Sequence, residues 1–161
     1  MNQITKNIKI EDLWVTNKEQ YRTRNKQYVM SQTQYAINAV ILSFKVLQPL
    51  FDSGFITKIN SFIRCPELNS SVGGSKTSQH MTGEAADCHV SGPAINRIKT
   101  LGFLEVWRVE SENLNCLYND INQVIFYPDQ LFIHVAIGYP YRPAQIGVCE
   151  NGVTTWLEGR S

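Results

Sequence analysis

From residue 34 onward, apolar side chains recur at helical spacing: Ile37, Val40, Ile41, Phe44 and Leu47. Ser31 or Thr33 is available as an N-cap and Pro49 closes the far end. After a Ser53-Gly54 turn the period drops to two, and residues 56–63 alternate as a strand that leads into Arg64, Cys65 and Pro66. Residues 67–79 are small and polar, with Gly73-Gly74 and several serines, and read as a surface loop of a length that is usually functional. Residues 84–90 suit a second strand. Pro93 then opens a short helix through Ile95, Ile98 and Leu101, and residues 106–109 read as a further strand. Residues 123–127 and 131–137 make an antiparallel pair around Pro128-Asp129-Gln130. Near the end, Glu150-Asn151-Gly152 marks a hairpin, because Asn-Gly accepts positive φ at both central positions.

A chain of 161 residues is one domain's worth and has no internal repeat. Residues 1–30 are polar and weakly patterned, with Ile8, Ile10, Leu13, Trp14 and Val15 as the cluster able to dock on a core. They read as an N-terminal arm or short helix, ahead of a core over 31–145 and a terminal hairpin over 146–161. Hydrophobic residues at 43% and charged residues at 18% are ordinary for a folded chain.

Fifteen Lys and Arg against fourteen Asp and Glu leave a formal charge of +1, which gives no field to hold a polyanion and argues against nucleic acid as a partner. The densest basic run, residues 18–26, is a solvated face or a tether to an anionic surface. Residues 1–11 lack the apolar run of a secretory signal, and no stretch is long enough to span a bilayer. Cys65, Cys88, Cys116 and Cys149 include no CxxC pair, so reduced, mostly buried thiols are expected.

The chemistry concentrates in Ser78-Gln79-His80-Met81-Thr82-Gly83-Glu84-Ala85-Ala86-Asp87, which sets an imidazole and a carboxylate seven positions apart with a glycine between them. Gly83 supplies the backbone freedom to reverse the chain, and Ala85 and Ala86 let strands approach. Two such donors bind a metal poorly. His134 lies on a separate predicted strand, where alternation puts it on one face with Phe132 and Ala136. Two imidazoles and a carboxylate suit Zn²⁺, one per chain, with the fourth position left for water as in catalytic sites. His89 shares a strand face with Asp87 and is the alternative third ligand or a proton donor. The loop 73–77 lacks the GxxxxGK[ST] spacing of a phosphate cradle.

At these residues the sequence resembles the M15 family of zinc peptidases, the D-alanyl-D-alanine carboxypeptidase and phage endolysin group that shares its fold with the hedgehog signalling domain. The likeness runs through Gln48-Pro49-Leu50, Arg64-Cys65-Pro66-Glu67-Leu68-Asn69, residues 72–80 and Gly83-Glu84-Ala85-Ala86-Asp87. It resumes at Asn122-Gln123-Val124-Ile125 and Phe132-Ile133-His134-Val135, covering roughly residues 36–145. The resemblance implies an α+β fold, a small antiparallel sheet with flanking helices and the metal at its open face.

It also implies hydrolysis of peptidoglycan stem or cross-link peptides. His80, Asp87 and His134 match the zinc ligands, and Arg64 matches the arginine that binds a substrate carboxylate or steadies the oxyanion. Ser78, two residues before the first ligand, would orient that ligand or touch substrate. The family's general base, a carboxylate three or six residues before the last histidine, has no counterpart, since those positions are Leu131 and Pro128; Asp129 is the nearest substitute. With no export signal visible, a phage or prophage lysin is expected, cytoplasmic until release or carried on a virion. A virion structural or wall-binding protein with weak catalysis is the alternative.

Overall fold

The computed structural model describes residues 2–114, 120–138 and 144–159. Its centre is one six-stranded sheet in the order β1-β2-β4-β3-β5-β6, formed by β1 (Ile56–Ser61), β2 (Ala85–Val90), β3 (Ile121–Tyr127), β4 (Phe132–Ile137), β5 (Gln145–Glu150) and β6 (Val153–Glu158). The pairing is antiparallel except between β3 and β5. After β4 the chain reverses but skips past β3, so β5 runs against β4 and therefore along β3. The fold is α+β, as the resemblance implied.

Period-two alternation gives the sheet two different faces. Ala86, Cys88 and Val90 of β2, Ile133 and Val135 of β4, and Val124 and Phe126 of β3 turn into the core. The helices cover that face: α2 (Thr33–Leu42), α3 (Gln48–Asp52), α5 (Gly92–Leu101) and α6 (Phe103–Ser111) supply Leu42, Leu50, Ile95, Ile98, Val106 and the fully buried Trp107. The opposite face presents Asp87 and His89, Phe132 and His134, Ile125 and Tyr127 to a cleft.

The principal helix departs from the sequence reading in two ways. It does not end at Pro49 but runs on to Asp52, because residues Ser43–Leu47 adopt π-helical bonding and Pro49 falls at the start of α3, where a missing N–H costs little. Of the expected apolar stripe, Leu47 alone is fully buried and Val40 is half-buried. Ile37, Ile41 and Phe44 are exposed, and Ala39, Leu42, Val46, Leu47 and Leu50 face the core.

Residues 106–109 are helical rather than extended. Phe103, Val106, Trp107 and Glu110 recur at helical spacing and are the buried face of α6, a period hidden by the β-branched valines. The region read as a loop over 67–79 begins with α4 (Pro66–Ser71), which has proline in its first turn and buries Leu68 and Asn69. The terminal hairpin has the expected two-residue turn, with Asn151 and Gly152 both at positive φ between Glu150 and Val153. Ser91 caps α5 through its hydroxyl, which accepts from Ala94 N.

The first thirty residues carry a 3₁₀ turn, Ile10–Trp14, and α1 (Arg22–Ser31), and they bury Ile8, Leu13, Asn25 and Val29 in the common core. The basic run is occupied locally: Arg24 pairs with Glu67, Arg22 with Glu19, and Lys26 lies over Trp14. Cys65, Cys88 and Cys149 are free and buried, and Cys116 lies outside the described residues. No helix among the described residues is long and apolar enough to cross a membrane.

Candidate metal centre

Strand register builds the site. Ser61, Asp87, His134 and Ile125 lie opposite one another across β1, β2, β4 and β3, and the next rung holds Lys58, His89, Phe132 and Tyr127. The third metal-site residue, His80, comes from outside the sheet, on the 3₁₀ turn Gln79–Thr82 that precedes β2. Gly83 ends this turn at φ +77°, and a Cβ there would drive into the backbone carbonyl of Tyr35 on α2. Gly83→Ala is therefore expected to cost about 1–3 kcal/mol, combining left-handed strain with a backbone collision, and to lower Tm by several degrees in thermal unfolding.

Residues 62–65 hold His80 in place through a set of backbone hydrogen bonds. His80 Nδ1–H donates to Phe62 O at 2.6 Å, while Arg64 N donates back to His80 O at 3.0 Å. Ile63 N donates to Leu13 O at 3.0 Å, tying in the N-terminal 3₁₀ turn. The buried Asn25 side chain brackets Arg64, donating to Ile63 O at 2.8 Å and accepting from Cys65 N at 2.7 Å. Its amide also reaches Trp14 O at 3.2 Å.

With its Nδ1 proton committed to Phe62 O, His80 presents the Nε2 lone pair to the site. That atom stands 3.1 Å from Asp87 Oδ1 and 3.2 Å from His134 Nδ1, and His134 Nδ1 is 3.0 Å from the same Oδ1. Among the described residues this is the one His/Cys/Asp/Glu group whose donor atoms converge to within 4.8 Å. Three electron-rich atoms crowd one point. A proton satisfies one pair of them; a divalent cation satisfies all three, and the set of two imidazoles and a carboxylate fits Zn²⁺.

Burial drives the His80 imidazole toward its neutral form, opposed by Asp87 and reinforced by Arg64 and His134. Burial alone would raise the Asp87 carboxyl, but the His80 and His134 imidazoles that face it hold it well below the usual range. The two shifts bias stability in the same direction. Below about pH 6.5 an unfolded His80 takes up a proton that the folded state resists, and at lower pH protonating Asp87 removes the contribution it makes above its unfolded value of about 3.9. The metal-free protein is thus expected to lose stability as pH falls from 7 to 5. A Tm in chelator that stays flat across that interval would contradict it.

The cleft over this site has a volume of about 1240 Å³ and is lined by residues of β1, β2, β3 and β4 and by the 72–80 segment. Arg64 lies in it, with one edge of its guanidinium already engaged. Nη2 donates to Asp87 Oδ2 and Nε to Ser61 Oγ at 2.8 Å, so Arg64 orients a metal-site carboxylate. Ser78 lines the cleft, yet the His80 ring is oriented by Phe62 O. Asp129 is exposed in the β3–β4 turn and is not part of the cleft wall, and Asp87 is the sole carboxylate lining the cleft among the described residues. His89 lines the cleft one rung away, outside the converging cluster.

Three contributors carry no role at the site in the sequence reading. Lys58 on the edge strand and Tyr127 on β3 both reach the cleft, and alternation along 123–127 was the available signal for the tyrosine. Burial pushes the Tyr127 phenol up to about 12, with Cys149 and Asp87 adding to the shift, so it is a neutral hydrogen-bond donor. Asn25 had no signal at all, since a lone asparagine in a polar helix reads as surface.

An α+β sheet thus carries a His/Asp/His cluster, a candidate metal site, on its open face beneath a cleft. The family model described as Peptidase M15 matches residues 6–105, and the chain belongs to that family. The match takes in the N-terminal segment, which begins well before the likeness read from motifs. It includes His80 and Asp87 and stops before His134, whose place beside them comes from strand register. No curated protein matches the chain significantly.

Proposed function

We propose that this protein is a zinc-dependent peptidase that cleaves stem or cross-link peptides of peptidoglycan, as a carboxypeptidase or an endopeptidase, and that it is of phage or prophage origin. The observation that carries this reading is the convergence of His80 Nε2, His134 Nδ1 and Asp87 Oδ1 at the floor of an open cleft. Zn²⁺ held there supplies Lewis acidity, which polarises a peptide carbonyl and acidifies water.

The chain's own residues do the rest. Phe62 O fixes the His80 tautomer, and Arg64 takes Asp87 Oδ2 so that Oδ1 faces the imidazoles. The neutral Tyr127 phenol can donate to developing negative charge on substrate, and His89 can hand a proton to the leaving amine. Its action would be on the cell wall, after release from the cytoplasm or from a virion.

One observation favours a second reading, a virion structural or wall-binding protein with weak catalysis. No carboxylate other than Asp87 lines the cleft among the described residues, so the usual base, worth about 10² to 10⁴-fold, has no candidate there. Incubating zinc-loaded protein with purified muropeptides, beside a chelator-treated control, separates the two by mass spectrometry of the products. Metal-dependent cleavage establishes the peptidase. Intact muropeptides with fully metallated protein leave the second reading, and well under one zinc per chain removes the site itself.

A further inference from the structure

Resting on the peptidase reading, we propose that Lys58 receives the α-carboxylate of the substrate residue immediately after the scissile bond. Among the described residues, two cationic side chains other than histidines line the cleft, Arg64 and Lys58. Arg64 is committed to Asp87 and Ser61, with 13% of its side chain exposed. Lys58 is exposed and has no ion-pair partner among the described residues. Its position is set by register: Lys58 lies opposite His89 as Ser61 lies opposite Asp87, one rung along the same cleft floor.

The spacing matches a peptide. Two residues along a strand advance about 6.6 Å. From a scissile carbonyl carbon to the α-carboxylate carbon of the next residue is at most about 3.8 Å through three bonds, and an ammonium–carboxylate contact adds about 2.8 Å. A carbonyl placed over the His/Asp/His cluster therefore puts that carboxylate between the two rungs, where an ammonium on the next rung meets it, and the flexible lysine stem spans the one-strand offset from β2 to β1. The remainder of the rung suits the residue carrying it: Phe132 and Tyr127 stack at 4.3 Å, 12° from parallel, as an apolar bed, and the His89 ring borders them. The carboxylate can be that of a C-terminal residue, or the free α-carboxylate of a γ-linked glutamate inside a longer peptide. Edge strands also use lysine simply to block pairing with other chains, a role that would leave substrate choice untouched.

The test uses zinc-loaded full-length protein and two matched pairs of peptides: N-acyl-D-Ala-D-Ala with its C-terminal amide, and an L-Ala-γ-D-Glu peptide with its α-amide. Wild type is expected to favour the free acid in at least one pair, and the pair that responds identifies the source of the carboxylate. Lys58→Gln should raise KM for the acid about tenfold with kcat and zinc content kept, and should erase the acid–amide difference. Lys58→Arg should restore it. Cleavage of acid and amide alike by wild type, or a preference that survives in K58Q, overturns the assignment and leaves the peptidase intact. Should wild type cleave neither pair, calorimetric binding of the acids decides: binding that is lost in K58Q supports the subsite, while no binding by wild type, or binding that K58Q keeps, overturns it, and the muropeptide assay alone decides the peptidase.

Discussion

His134→Ala is expected to abolish muropeptide cleavage and to drop bound zinc well below one per chain, while leaving the metal-free fold intact. The removed imidazole supplies one of three converging donors, and the two left behind, His80 Nε2 and Asp87 Oδ1, make a weak site. Losing the Lewis acid removes several kcal/mol of transition-state stabilisation, which corresponds to at least about 10³-fold in kcat/KM. Stability should hardly change, because His134 sits on the cleft face, while its β4 neighbours Ile133 and Val135 are fully buried. Kinetics, metal analysis and thermal unfolding in chelator check the three parts. Activity retained by a zinc-free His134→Ala variant would place the chemistry elsewhere.

Asn25→Leu carries the largest expected stability cost. Its side chain is fully buried and serves three backbone groups, Trp14 O, Ile63 O and Cys65 N. Leucine is close in size but offers none of these bonds. Two carbonyls and one amide would remain buried and unpaired at about 1–3 kcal/mol each, so a loss of about 3 kcal/mol or more is expected, roughly 10 °C in Tm. The same change frees the backbone on both sides of Arg64 and, through it, Asp87. Zinc affinity should fall as well, and a Tm within 2 °C of wild type would show that water or a rearranged backbone replaces the clasp.

The sheet and the convergence of His80, Asp87 and His134 were legible because each rests on a local rule. Alternation on 84–90 and 131–137 shows which face Asp87 and His134 occupy, and Asn151-Gly152 dictates its hairpin. Long-range partners hid the rest. That Arg64 also touches Asp87 and Ser61 could not be read from the sequence, since the fold alone brings those side chains to its guanidinium. Asp129 has the right chemistry near His134, but the turn at 128–131, with Leu131 at positive φ, leaves it in solvent. The apolar stripe of α2 misled in another way. Ile37, Ile41 and Phe44 have the periodicity of a core face, yet the helix turns Ala39 and Leu42 inward, and periodicity alone cannot decide which of two adjacent stripes meets the sheet.

Pairing Asp87 with His134 across β2 and β4 makes the site intolerant of a change in loop length on one side and permissive on the other. One residue inserted within β4 ahead of Ile133 would turn Ile133 to the cleft and the imidazole into the helix-covered layer, removing His134 from the cluster although every original side chain is kept. Two residues would restore the face but displace the ring by about 7 Å, beyond the reach of His80. Residues added at the exposed 128–131 turn leave the register untouched. Variation in length should therefore gather at that turn and at the 72–78 rim, while the distances between paired strand positions stay fixed, a spacing rule that homologous chains would obey even where their side chains differ.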